Sequence, residues 1–181
     1  MLTLTIPGEE FWDEDKEEFV YKKGQTIQLE HSLVSLSKWE AKWHKPFLTK
    51  DNKSKEEIED YVRCMTITQN VKPELYKRLS EEQYRQINQY IADSMTATWF
   101  GKERGRGRMS REQVTAELIY YWMVTFNIPF ECQKWHLNRL LTLIKVCNIK
   151  QQPDKKMSKK EILSENAALN AARRARYKSK G

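Results

Sequence analysis

The sequence predicts a mainly α, α+β fold: a small N-terminal β-hairpin or sheet, then a helical bundle of about five to six helices and a basic C-terminal helix. Three observations carry this expectation. Gly and Pro are scarce, six and five in 181 residues, which argues against an all-β chain needing a turn every ten residues or so. The first 29 residues hold β-branched, alternating runs broken by turn residues. Beyond residue 31, apolar residues recur at spacings of three and four, the period of a helix.

Taken in order, Leu2 to Ile6 alternates and stops at Pro7-Gly8. Phe19 to Tyr21 and Thr26 to Leu29 flank Lys22-Lys23-Gly24-Gln25, a spacing that predicts a hairpin. A helix is expected over Ser32 to Trp43, where Leu36, Trp39 and Trp43 share a face and Pro46 prevents extension. Four capping boxes follow: Ser54 with Glu57, Ser80 with Gln83, Ser110 with Gln113, and Ser158 with Glu161. Each precedes a helical sequence. Ile58, Tyr61, Val62 and Met65 follow the first; Tyr84, Ile87 and Ile91 the second; Val114, Leu118, Tyr121 and Thr125 the third. Pro73 suits the first turn of a short helix through Leu79. Asn127-Ile128-Pro129 is expected to end the helix begun near Ser110 and to turn the chain into another over Phe130 to Asn148, an antiparallel helical hairpin. The last helix, Ser158 to about Tyr177, has few large apolar residues and is expected to be the least buried.

These elements divide into a β region over 1–30, a helical domain over 31–150, and a basic linker and helix over 151–181. No apolar stretch approaches the ~20 residues that span a bilayer. The opening residues lack the basic start and apolar core of a secretory signal. Cys64, Cys132 and Cys147 are odd in number and widely spaced, so a reducing cytosol is expected. Charge is uneven. The net is +7, yet residues 1–20 carry −6 and residues 151–181 carry +6. Two basic stretches stand out: Lys102, Arg104, Arg106, Arg108 and Arg111, and Arg173, Arg174 and Arg176. Such a balance suits either a polyanionic partner or a solvated face. The acidic start offers a partner for the basic end, or for the next copy of the chain.

The chemistry is sparse. Cys132 and His136 stand four apart on one expected helix, but a zinc site needs further ligands, and a core cysteine beside a half-buried histidine is the preferred reading. The acids from Asp13 to Glu18 fail the EF-hand pattern, since Glu18 and Gly24 stand where Gly and Glu are required. They read as a charged hairpin turn that guards a sheet edge. The run from Gly101 to Arg108 lacks the order of a phosphate loop and reads as a solvated loop, with nonspecific nucleic-acid binding as the alternative. No nucleophile motif is present. The expectation is a non-enzyme without cofactor or metal. An aromatic band remains: Tyr120, Tyr121, Trp122 and Phe126 on one helix, Phe130 and Trp135 on the next. It wraps more than one face, so it is either core or surface lent to a partner.

Several runs resemble a family of small proteins from tailed bacteriophages, similar to the tail assembly chaperones of siphophages. They are Glu30-HSLVSLSKWE-Ala41, Met65-TITQ-Asn70, Glu117-LIYYW-Met123, Asn127-IPFECQKWHLNRLLTL-Ile144 and Asn166-AALNAARR-Ala175. The resemblance implies a protein of the infected host's cytoplasm that binds the tape measure protein until tail-tube subunits displace it, with homo-oligomers possible. It carries over no catalytic residue. Two rivals are a structural virion component, from the tail or head–tail connector, and a nucleic-acid binder using the basic stretches.

Overall fold

A computed structural model describes residues 1–14, 17–49, 51–100 and 113–151, and in the C-terminal segment residues 163–164, 166–168, 170–171 and 174. The fold is mainly α, of the α+β class. Four strands come first: β1 (Leu2–Ile6), β2 (Glu9–Asp13), β3 (Glu18–Lys22) and β4 (Gln25–Leu29). Then come α1 (Leu33–Trp43), α2 (Lys55–Met65), a 3₁₀ turn at Pro73–Arg78, α3 (Glu81–Ala92), α4 (Ala116–Thr125), a second 3₁₀ turn at Phe130–Lys134, and α5 (Leu137–Gln151). The chain divides into two compact units, Met1–Cys147 and Asn148–Gly181. The described residues from Leu163 to Arg174 are helical and exposed.

The strands differ from expectation in their partners. β3 does not turn back onto β4; β1 pairs with β4 and β2 with β3, both antiparallel. One register runs through both ladders, Ile6 opposite Gln25 and, three residues on, Glu9 opposite Lys22. The four strands are one long ribbon, interrupted where Pro7-Gly8 faces Lys23-Gly24. Proline lacks the N–H that a ladder needs. A side chain at Gly24 would bring its Cβ within 2.6 Å of the Ile6 carbonyl oxygen, so only glycine fits that crossing. The chain therefore turns back between Asp13 and Glu18, with Glu14 and Glu17 in turn conformation, not at Lys22 to Gln25. In the proximal half, Leu4, Ile6, Ile27 and Leu29 alternate inward and are buried. Residues 65–68 cover the outer edge of β4, with Glu30 N–H donating to the Met65 carbonyl (2.9 Å) and Ile67 N–H to that of Gln28 (2.8 Å).

Capping chemistry sets most helix starts. At α2, Ser54 Oγ accepts from Glu57 N–H while the Glu57 carboxylate accepts from Ser54 N–H. Ser80 and Gln83 do the same at α3, and Ser32 and Ser35 at α1. The third expected box is not the start of α4. Gln113 and Val114 are not helical, and Thr115 is the cap, accepting from Leu118 N–H; Ser110 lies outside the described residues, as do Ser158 and Glu161. The other end of α4 is closed by Asn127 in the left-handed region (φ 52°). Its N–H donates to the Val124 carbonyl and Ile128 N–H to that of Met123 (2.8 Å), a Schellman closure with asparagine in the glycine position.

The expected single helix over Phe130 to Asn148 is broken at Trp135-His136. There Leu137 N–H donates to the His31 carbonyl (2.7 Å) and His136 bridges Ser32. This tie to the start of α1 outcompetes the intrahelical ladder. α1 lies between two cores. Trp39 joins the ribbon, α2 and α3 around Tyr61, Met65 and Ile87. Leu33 and Leu36 join Ile119, Met123, Leu137 and Leu140 of α4 and α5.

Candidate protein-binding site

The aromatic band of α4 and the following turn is divided between the second core and solvent. Ala116, Ile119 and Met123 are the fully buried residues of α4. Tyr120, Trp122, Phe126 and Trp135 are half-buried and pack against that core. Tyr121 and Phe130 are open, 63% and 55% exposed, with Val124 exposed one turn on from Tyr121. Helical spacing puts Tyr121 and Val124 on the same face. Tyr120 is held by its hydroxyl, which donates to Gln133 Oε1 (2.9 Å), and its ring lies 6.4 Å from that of Phe130. The Arg139 guanidinium sits 4.2 Å from the Trp135 ring, a cation–π contact. Tyr120, Trp122, Phe126 and Trp135 are thus anchored against the second core, while Tyr121 and Phe130 present apolar surface to solvent. Of the basic residues, Lys102, Arg104, Arg106, Arg108, Arg111, Arg173 and Arg176 lie outside the described residues; Arg174 is helical and exposed.

A second apolar surface is a groove of about 1120 Å³ between α2 and α3. Tyr61, Val62, Leu79 and Ile87 form its buried floor, and Phe47, Tyr84 and Ile91 its half-buried walls. Ile58 is exposed on the lip, beside the charged rim of Lys55, Glu56 and Glu59 facing Lys77 and Glu81. The flanking helices are 11 and 12 residues long, roughly 16–18 Å, about three turns of a helix. The periodicity of Ile58 to Met65 and of Tyr84 to Ile91 shows two apolar faces. That those faces splay apart, instead of closing on each other, is a tertiary fact with no local signature.

The titratable groups of the interior are structural ties. His31 and His136 meet edge to face, ring centres 5.1 Å apart, at the seam of the two cores. His31 Nδ1 is hydrogen-bonded to the Tyr61 hydroxyl (2.7 Å), and His136 Nε2–H donates to the Tyr90 carbonyl (3.0 Å). That bond leaves His136 Nδ1 buried without a partner. Burial, with His136 adding to it, lowers the His31 pKa to about 4, because a low-dielectric site disfavours the charged ring. Burial and the Glu30 carboxylate that accepts its hydrogen bond (2.6 Å) raise the Tyr90 pKa. Glu40 is buried, which raises its pKa, yet it accepts from Phe47 N–H and Ala116 N–H at 2.7 Å each. It is the acceptor for the first turn of α4, supplied from α1.

Asp60 accepts from Lys42 (2.7 Å), Arg63 (2.6 Å) and the Trp43 indole (2.9 Å). Desolvation raises its pKa, but these partners outweigh it and leave a net lowering. Burial raises the Cys64 thiol, the wrong direction for a nucleophile. Cys132 lies in the 3₁₀ turn, not on a helix with His136, and both are buried, so that histidine is more enclosed than the sequence implies. Among the described residues, no three His, Cys, Asp or Glu side chains are placed to hold a metal ion. No helix there is long and apolar enough to cross a membrane. No family model, no curated protein and no solved structure matches the chain.

Proposed function

We propose that this chain is a phage tail assembly chaperone-like protein, a non-enzyme that binds the tape measure protein and keeps it soluble in the host cytoplasm until tail-tube subunits take its place. The observation that carries the reading is the open α2–α3 groove. Its apolar floor and mixed-charge rim suit an amphipathic helix laid lengthwise, with apolar residues at i, i+3, i+4 and i+7 set into the floor. The Tyr121, Val124 and Phe130 rim offers a second apolar strip, where aromatic side chains gain most from desolvation.

Co-expression with the tape measure protein of the same phage tests this. Soluble tape measure protein is expected to rise with the wild-type chain and to fall to the uncomplexed level with Ile58→Asp/Tyr84→Lys in the groove. Tyr121→Ser/Phe130→Ser is expected to lower it less. Unchanged recovery with both variants overturns the proposal. Abundant chain in purified virions would favour a structural tail or connector component instead.

A further inference from the structure

We propose that the distal half of the ribbon, residues 9–22, is a docking arm for a basic polypeptide segment, an assignment independent of the tape measure reading. In an antiparallel ladder, residues two apart on one strand share a face with those opposite them. Trp12 faces Phe19 and Glu10 faces Tyr21, so Trp12, Phe19 and Tyr21 line one side. The Trp12 and Phe19 rings meet edge to face at 5.0 Å. The Tyr21 ring lies across Gly8, where a Cβ would come within 2.1 Å of the phenolic oxygen. Yet the three aromatics are 49%, 67% and 66% exposed. The core draws on the proximal half of the ribbon and leaves this face in water.

The base of the arm is fixed. Arg78 donates to the Pro7 carbonyl and pairs with Glu9 at 3.3 Å, and its own side chain is largely buried. Among the described residues, β2 and β3 pair only with each other. A two-stranded ribbon is marginal in water, so its open edges and aromatic face have free energy to gain from a partner.

Charge selects that partner. Residues 9–22 hold seven acids and two lysines, a net of −5, on a chain whose total is +7. A second copy's ribbon is repelled, as are nucleic acid and an anionic membrane. A lysine- or arginine-bearing segment is attracted to the arm, and on the aromatic face its cations find the rings beside Glu10, which lies opposite Tyr21. The occupant is therefore a basic protein segment with interspersed apolar side chains.

The test titrates the full chain against a fluorescein-labelled twelve-residue peptide of alternating lysine and valine, a glutamate-for-lysine control, and phosphatidylserine vesicles. Binding of the lysine peptide alone is expected, weakening with salt. Trp12→Ser/Phe19→Ser/Tyr21→Ser is expected to cost at least about tenfold in affinity, and Glu14→Lys/Glu17→Lys a similar factor. Ile58→Asp in the groove is expected to change nothing. Full affinity in the aromatic variant would reduce the attraction to bulk charge and overturn the proposal, as would preference for the glutamate peptide or the vesicles. Thermal melting of each variant verifies that the core is intact. Should the triple aromatic variant melt early, Phe19→Ser alone, which removes the most exposed of the three rings, decides: lost affinity supports the arm and full affinity overturns it.

Discussion

His31 is neutral in the folded chain because its ring is buried between Tyr61 and the second histidine, His136. With its pKa lowered to about 4 from an unfolded value near 6.5, the folded state binds fewer protons than the unfolded one between those limits. Stability from this residue is therefore intact above about pH 6.5, falls as pH drops through the window, and levels off below about 4. The full loss is of order 3 kcal/mol. Urea unfolding from pH 7 to pH 4 is expected to show that decline, and His31→Gln to flatten it. Parallel pH curves for the two chains would contradict a neutral buried ring. Glu40 acts differently, bridging the amides of Phe47 and Ala116. His31 appears in the sequence as one polar residue ahead of a helix, and Glu40 as a solvent-type position beside Trp39. Neither is legible as a tie, because its partners are up to 105 and 76 residues away.

Helix ends show how local chemistry and distant contacts share control. Ser54 and Ser80 behave as their boxes predict, since both partners of each box lie within four residues of each other. At α4 the nearer cap, Thr115, starts the helix, with Glu40 satisfying Ala116 N–H from outside. A threonine without glutamate or glutamine three residues on gives a weaker pattern than Ser110 with Gln113, which is why sequence reading starts the helix too early. Thr115→Ala is expected to cost about 1 kcal/mol, measured by thermal or chemical unfolding. A cost near zero would mean that Glu40 alone sets the helix start. The ribbon carries the same lesson. Alternation identifies β1, β3 and β4 but not β2, whose Glu9-Glu10-Phe11-Trp12-Asp13 run does not alternate. Two candidate turns then compete, and the buried side chains of β1 and β4 decide between them by needing each other as neighbours.

For the whole molecule, α1 is the shared wall of two cores, so changes on it are felt on both sides. Leu36→Ala is expected to destabilise by roughly 2–5 kcal/mol, the cost of a buried cavity. Tyr121→Ser, on the exposed rim of α4, should stay within about 0.5 kcal/mol. Denaturant midpoints of the two variants check this contrast, and equal losses would mean that Tyr121 is packed. The contrast also keeps the binding tests clean, since Ile58 on the groove lip and Tyr121 on the α4 rim are exposed and can be altered without opening a core.

By itself the sequence determined the α+β class, the strands β1, β3 and β4, the caps of α2 and α3, and the aromatic excess of α4. Those signals act over two to four residues, through side-chain alternation, helical periodicity and capping hydrogen bonds. Only the tertiary structure decided the strand pairing, the break before α5, the histidine seam, the opening of the α2–α3 groove and the solvent-facing side of the ribbon. Each of these depends on which distant apolar faces bury one another, and no short window of residues encodes that choice.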